Sequence, residues 1–194
     1  MVRHYDPEPI PRETLERICR TVRRAPSGGF SQGQRLIVVT DAETRARIAE
    51  LLHEDEWIEQ GREPWLSVAP AHIVVCTREQ DYHDRYTQPD KLAVTGGVEI
   101  VWPVPFWHVD AGAAMMLVML AALEEGLGAG VYGVTVDDDA RVRALLGIPD
   151  DLTIVVGITV GHPAEDPDWD RVSSVFSQRR RAADDVVRWN RWDP

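Results

Sequence analysis

The residue types that usually carry catalysis do not form a recognisable constellation in this chain of 194 residues. The sequence has no nucleophile elbow, no paired carboxylates of a glycosidase type, no phosphate loop ending in lysine and no helical two-histidine metal motif. Where side chains offer so little chemistry, a bound cofactor can carry the reaction while the protein binds and orients it. We therefore expect a cofactor-dependent protein with no catalytic side chain of its own and no metal site.

A loop at residues 26–33 is the first candidate for holding such a cofactor. It combines three glycines with Ser27, Ser31 and Gln32. Glycines allow the backbone to approach a planar ligand closely, and the hydroxyl and amide groups offer hydrogen bonds to ring heteroatoms. The alternative is an ordinary turn between a helix and a strand.

Other polar clusters have competing explanations. Three consecutive arginines at 179–181 could grip a phosphate, or form a solvated basic stretch. His108 and Asp110 could form a metal or catalytic pair, but Asp110 stands where the N-cap of a following helix is expected. The three aspartates at 137–139 lack the spacing of a calcium loop, so we expect them to cap the next helix.

Composition narrows the class of protein. A net charge of −11 disfavours nucleic acid as a partner. Two distant cysteines exclude a disulfide framework and a zinc ribbon, and they fit a reducing cytoplasm. The longest apolar helix candidate, residues 111–123, is too short to span a bilayer, and the N-terminus lacks the apolar stretch of a secretory peptide. We expect one soluble cytoplasmic domain, 1–194, without membrane contact.

Hydrophobic periodicity predicts a mixture of helices and strands. The predicted helices are 11–24, 41–52, 111–126 and 141–146, and the predicted strands are 36–39, 72–77 and 152–160. Residues 79–107 have little periodicity and are interpreted as a variable insertion. Residues 166–194 are too apolar for a free tail but too few for their own core, so we expect an arm that packs on another surface.

Several motifs, in this order along the chain, resemble the FMN-dependent nitroreductase-like family and in particular its short actinobacterial-type members. They are RHYDPEPIP at 3–11, APSGGFSQ at 25–32, AALEEGLGA at 121–129, LGIP at 146–149, VGHP at 160–163 and RRRAADDVVRW at 179–189. Each motif is short, and the resemblance depends on their order over nearly the whole chain.

The resemblance implies an α+β fold with three α-β-α layers, a mostly antiparallel central sheet and an interlocked homodimer. Two FMN molecules would lie in the shared interface. Residues 79–107 would form the lid over the substrate face, and the arm at 166–194 would pack on the partner subunit. The implied cofactor-binding residues are Arg3, Pro26, Ser27, Gly28, Gly29, Gln32, Val131, Tyr132, Gly133, Arg179 and Arg180.

Their implied roles differ. Arg3 would contact the flavin ring or the ribityl chain. Residues 26–29 would line the ring, with Gln32 near it, and residues 131–133 would present main-chain groups near N5. Residues 179–180 would hold the phosphate.

Two departures from the family pattern affect the site. Met1 occupies the place of the family's serine, so the arginine that normally precedes it is absent. This indicates either a start site assigned too far downstream or a truncated N-terminus. Phe30 stands where the family commonly has asparagine, which replaces an amide with an aromatic face.

The implied activity is a ping-pong transfer of hydride. NADPH or NADH would deliver hydride to flavin N5 and leave, and an electron-poor acceptor of the nitroaromatic or quinone type would take its place. Two alternatives remain open at this point: a flavin dehydrogenase that oxidises a specific metabolite, and a non-catalytic flavin-binding or interaction protein.

Overall fold

The computed structural model describes residues 1–164 and 181–192. The described part contains one sheet in which every pairing is antiparallel. Its strands are β1 (Tyr5–Asp6), β2 (Gln34–Val39), β3 (Ala71–Thr77), β4 (Gly128–Tyr132) and β5 (Thr153–Pro163). The long strand β5 pairs with β1, β3 and β4, and β2 adds to the free edge of β3.

The helices of the first 164 residues cover both faces of this sheet. They are α1 (Arg12–Arg20), α2 (Ala42–Leu51), α3 (Glu54–Glu59), α4 (Gln80–Tyr86), α5 (Pro89–Thr95), α6 (Phe106–Glu124) and α7 (Val136–Leu146). The chain divides into two units, residues 1–164 and 165–194. The described part of the second unit contains a single turn of helix, α8 (Ala183–Val186).

Strand β3 shows how the layers are held together. All seven of its residues are buried, and successive side chains of a strand point to opposite faces. Ala71, Ile73 and Val75 pack with α1 and α6 in one core cluster. Val74 and Cys76 pack with Ile148, which follows α7, on the other side. A sheet between two helical layers confirms the predicted α+β, three-layer fold, while the dimer stays a prediction.

Helix α6 is longer than the sequence pattern predicts. It begins at Phe106, so Asp110 lies inside the helix and the N-cap position belongs to Pro105. The prediction that Asp110 is an N-cap is therefore wrong. At 19 residues, α6 is long and apolar enough to cross a membrane, judged by length and composition only. Core helices of soluble proteins can meet the same two criteria. The sequence predicted a helix too short to cross a membrane, and that argument does not hold for the observed length of α6.

One further prediction needs correction. The helix at α7 begins at Val136, and its cap is Thr135, whose hydroxyl accepts from the Asp138 N–H at 3.3 Å. The three aspartates occupy the first turn instead, where negative charge is favourable. Residues 79–107, which show little periodicity, contain the two short helices α4 and α5.

Candidate functional site

Four of the predicted cofactor residues line one cavity of about 370 Å³. They are Arg3, Val131, Tyr132 and Gly133. The remaining lining residues come from the segment around α2 and α3 and from the start of α7; they are Leu52, His53, Trp57, Trp65, Leu66, Thr135 and Asp138. Arg3 precedes β1 and Gly133 follows β4, so residues at the ends of two strands line the cavity. We call this the Arg3 cavity.

Aromatic rings support the guanidinium group of Arg3. Its Cζ lies 4.8 Å from the centre of the Trp65 ring. Trp57 stacks in parallel on Trp65, with ring centres 6.2 Å apart and planes 8° from parallel. A cation over an indole face is attracted by the ring quadrupole, and the stack restricts where Arg3 can lie.

The surroundings of Arg3 oppose its positive charge. Burial lowers the pKa of Arg3, and the nearby charge of Arg62 lowers that pKa further. The positive charge of Arg3, reinforced by the nearby charge of Arg62, would attract a negative group in the cavity. The Arg3 cavity thus combines an aromatic wall with a site for negative charge.

A buried carboxylate holds Trp65 in place. Glu54, 4% exposed, accepts the backbone N–H groups of Trp65 at 2.7 Å, Leu66 at 2.6 Å and Ser67 at 3.1 Å. Three donors on one carboxylate compensate for its burial. The sequence pattern did not identify Glu54, Trp57 or Trp65, because their contacts join segments that have no common periodicity.

The opposite wall of the cavity depends on Tyr132, the last residue of β4. Its hydroxyl lies 3.0 Å from Nδ1 of His72, whose Nε2 lies 2.8 Å from the carbonyl oxygen of Leu66. Both side chains are buried. A histidine inside the apolar strand sequence AHIVVCT was the one available sequence signal for this contact.

The predicted loop at 26–33 does not line the Arg3 cavity. Phe30 and Gln32 instead line a separate surface depression of about 560 Å³, together with Cys19 and Arg35. Both Phe30 and Gln32 have positive φ, 64° and 56°, which is strained for residues other than glycine. Within one chain, then, the structure brings 131–133 to Arg3 but leaves the loop apart.

The glycines of this loop make room for helix α4. A Cβ added at Gly33 would lie 2.5 Å from the Tyr82 ring, and one at Gly29 would lie 2.6 Å from the Tyr86 ring. The sequence argument was that these glycines let a planar ligand approach. The close approach that the structure records is that of two tyrosine rings.

Asp110 joins the loop to α4. One of its carboxylate oxygens accepts the Gly28 N–H at 2.8 Å and the Tyr82 hydroxyl at 2.7 Å. Tyr82 is fully buried, and burial together with donation to Asp110 raises the pKa of its hydroxyl. Arg85 adds a bond from Nε to the Gly29 carbonyl at 2.9 Å. The loop and α4 therefore form one packed unit.

The loop hydroxyls are engaged locally. Ser27 Oγ accepts the Gln32 N–H at 2.9 Å, and Ser31 Oγ donates to the Gly28 carbonyl at 2.6 Å. The predicted phosphate ligands Arg179 and Arg180 lie outside the described residues. In residues 1–164 and 181–192, no three His, Cys, Asp or Glu side chains form a group that could hold a metal ion.

Comparison with known proteins places the chain among flavin and nicotinamide enzymes. The sequence model of the nitroreductase family matches residues 1–162. The FMN reductase [NAD(P)H] of Bacillus subtilis is 30% identical over 171 residues, which are 84% of this chain and 62% of that protein. A putative NADH dehydrogenase/NAD(P)H nitroreductase of Archaeoglobus fulgidus is 26% identical, covering 92% of this chain and 89% of that protein.

A solved structure has the same fold. The NADPH:FMN oxidoreductase of Vibrio harveyi, determined in complex with NAD⁺, superposes with a TM-score of 0.70 at 24% identity. The match covers 100% of this chain and 74% of that one. The chain thus spans only part of the length of this structure and of the Bacillus reductase.

Proposed function

The chain belongs to the nitroreductase family, and from that membership we propose that it is an FMN-dependent oxidoreductase. It takes hydride from NADPH or NADH and passes it to an electron-poor acceptor of the nitroaromatic or quinone type, the two substrates binding in turn. The observation that carries this proposal is the convergence of Arg3 and residues 131–133 on one cavity. Their meeting in space is independent of the sequence motifs that suggested them.

The residues present fit FMN in three respects. The cavity volume, about 370 Å³, lies in the range of small-ligand sites. Space beside Gly133 is open, since an added Cβ there would meet no atom within 4 Å. The guanidinium of Arg3 supplies positive charge in the lining of the cavity. FMN, when bound, supplies the hydride chemistry.

The task of the chain itself is to bind and orient. Arg3 would hold the flavin ring and would place positive charge near it, which would favour the reduced, more negative form. Residues 131–133, which also line the cavity, would present main-chain groups to the ring. No acid or base side chain is required, in keeping with a site whose residues position charge.

A second copy of the chain completes the site in this proposal. The loop at 26–32 and the Arg3 cavity lie apart in one chain, so a partner's loop can face the cavity. Helix α6 also exposes an apolar face, formed by Val109, Met116, Leu120 and Leu123. Burial of that face in a homodimer would remove it from water.

The two remaining segments have proposed roles as well. We place residues 79–107 as the lid over the substrate and 166–194 as an arm on the partner. Four apolar side chains in the described part of the arm are exposed: Val186, Val187, Trp189 and Trp192. Exposed apolar side chains are expected in a segment that packs on another surface. A cytoplasmic location fits the two free cysteines.

The deciding experiment is an absorbance spectrum of the gel-filtered protein with and without added FMN, followed by anaerobic NADPH and, separately, NADH. We expect flavin bands that bleach with at least one nicotinamide and return on addition of a quinone. A flavin that neither nicotinamide reduces would reject the enzyme and leave a binding protein. A chain that retains no FMN would reject the proposal.

A further inference from the structure

Tyr132 reaches across strand β5 because a glycine leaves the space open. Tyr132 on β4 pairs with Gly157 on β5, and β5 lies between β4 and β3. A Cβ at Gly157 would overlap the Tyr132 ring. The ring therefore occupies the place of a missing side chain and brings its hydroxyl to His72 on β3.

The hydrogen bonds of His72 define its tautomer. The Leu66 carbonyl can only accept, so Nε2 of His72 carries the proton and donates to it at 2.8 Å. Nδ1 of the neutral ring is then an acceptor, and the Tyr132 hydroxyl donates to it at 3.0 Å. Both nitrogens are satisfied, and the imidazole links two segments that lie far apart in the sequence.

These two segments are the walls of the Arg3 cavity. Leu66 follows Trp65, on whose ring the Arg3 guanidinium lies. Glu54 accepts the backbone N–H groups of both Trp65 and Leu66 and so fixes these two residues. Tyr132 lies in the predicted flavin segment 131–133. A shift at His72 would thus change the position of the Trp65 ring, and of the Arg3 guanidinium that lies on it, relative to that segment.

We propose that His72 is a positioning residue that holds the Trp65–Leu66 segment, and with it the Trp65 ring that supports Arg3, in place against 131–133, so that FMN binding depends on its neutral Nε2–H form. This inference rests on the proposed function, because FMN is the ligand that the two walls would hold. His72 itself does not line the cavity and acts through Tyr132 and Leu66.

The surroundings maintain the neutral ring. Burial lowers the pKa of His72 to about 4, with a further lowering by Arg45. The Leu66 hydrogen bond and the charge of Glu54 act in the opposite direction but do not outweigh burial. The neighbouring hydroxyl of Tyr132 stays protonated, because burial raises its pKa.

The first test needs no cofactor. Two-bond ¹H–¹⁵N correlations of the FMN-free chain report the tautomer of each histidine, and the His72→Gln spectrum assigns the His72 signals. We expect a neutral Nε2–H ring near pH 7. A protonated ring or the Nδ1–H tautomer would overturn the inference.

The second test measures the dissociation constant of FMN by quenching of flavin fluorescence. His72→Leu removes both hydrogen bonds and Tyr132→Phe removes one. Each should weaken FMN binding about tenfold, the effect of about one lost hydrogen bond. His72→Gln keeps a donor and an acceptor and should restore part of the affinity. The double variant, which combines His72→Leu with Tyr132→Phe, should bind no more weakly than His72→Leu alone.

Ile18→Val is the matched control, because Ile18 is fully buried in the other core cluster, on α1. It should unfold more readily but bind FMN as the wild type does. Additive effects of His72→Leu and Tyr132→Phe, or unchanged FMN affinity in both variants, would overturn the inference while the proposed function stands. A wild-type chain that binds no FMN would overturn both.

Discussion

At the scale of single residues, Arg3 is the side chain on which the proposed chemistry depends most directly. Its guanidinium rests on Trp65, and the charge of Arg62 and burial both oppose a cation there. A partly buried arginine near a second arginine attracts an anionic ligand more strongly than a solvated arginine would, because burial reduces the screening of its charge by water. The same positive charge should favour the reduced, more negative form of the bound ring.

Replacement of Arg3 by alanine should therefore weaken FMN binding and make the flavin harder to reduce. We expect a dissociation constant about 10 to 100 times higher, the range for a hydrogen bond to a charged group. The midpoint potential should fall by about 30 mV or more. Titration with FMN and reductive titration with a reference dye measure the two quantities.

Arg12→Ala is the control for this substitution, because the Arg12 side chain is 88% exposed and pairs with Glu16 across one helical turn. It should leave both quantities unchanged. An unaltered midpoint potential in Arg3→Ala would reject the electrostatic role of Arg3.

His72 should also make the stability of the fold depend on pH. Its pKa is about 4 in the folded chain, below the ordinary value of 6.5. Between these two values the unfolded chain binds a proton that the folded chain does not, so stability falls as the pH decreases from 6.5 to 4. A shift of this size corresponds to roughly 3 kcal/mol at most.

Urea unfolding at a series of pH values measures this dependence, and carboxylates contribute to it as well. The informative quantity is the difference between the wild type and His72→Gln, which lacks the titrating ring. The wild type should lose more stability than the variant between pH 6.5 and 4. Parallel curves would show that His72 does not titrate as its burial requires.

Some of these residues could be predicted from the sequence and others could not. Arg3 begins one of the ordered motifs and residues 131–133 follow another, and the structure brings them to one cavity. No sequence motif identifies Glu54 or Trp65, because a carboxylate in a helix of charged residues and a tryptophan in a loop have many ordinary roles. Only their tertiary contacts distinguish them.

At the scale of elements, the contact between α4 and the loop at 26–33 connects the proposed lid to a proposed cofactor loop. Tyr82 and Tyr86 pack on loop glycines, and Asp110 binds both partners. A change in the position of α4 would move the loop with it. The lid and the loop are therefore coupled through α6, which carries Asp110.

Asp110→Ala should loosen this unit. The substitution leaves the Gly28 N–H and the buried Tyr82 hydroxyl without their acceptor, at a cost of about 1–3 kcal/mol each. Thermal unfolding measures the loss of stability, and limited proteolysis should show faster cleavage within 79–105. The matched control is Asp151→Ala, which breaks only the exposed pair with Arg78 and should cost less than about 1 kcal/mol.

If Asp151→Ala and Asp110→Ala gave equal losses of stability, the carboxylate of Asp110 would not join the two elements. Equal cleavage rates in the lid segment would lead to the same conclusion.

Elements with strong periodicity were predicted closely, and those stabilised by tertiary contacts were not. The helix predicted at 41–52 is observed as α2, Ala42–Leu51, and it begins after Asp41, whose carboxylate accepts from the Thr44 N–H at 2.8 Å. Helix α4 was missed because its stability comes from aromatic packing, as between Tyr82 and Trp102. The start of α6 was misplaced because Asp110, a typical cap residue, lies inside the helix.

At the scale of the whole molecule, the apolar face of α6 is the feature that a single chain leaves unexplained. Met116, Leu120 and Leu123 are 46%, 56% and 69% exposed. Exposed leucines and methionines along one helix are costly in water and typical of an interface.

Leu120→Glu should therefore convert a dimer to a monomer, because the charge would be buried in the proposed interface. Analytical ultracentrifugation measures the change in mass, and FMN titration should show binding weakened by about tenfold or more, since the partner's loop is lost. Val94→Glu, on an exposed position of α5, should leave mass and affinity unchanged. A Leu120→Glu protein that stays dimeric would exclude this face as the interface.

The residues at positions 157 and 132 constrain each other during sequence change. Because the tyrosine ring fills the volume that Gly157 lacks, a larger residue at 157 displaces the ring, and a smaller one at 132 leaves a cavity. In a library that randomises both positions, folded variants should divide into those with a ring at 132 beside glycine and those with a small side chain at 132 beside a larger neighbour. No single substitution leads from one class to the other without a poorly packed intermediate, so this part of the sheet resists gradual evolutionary change.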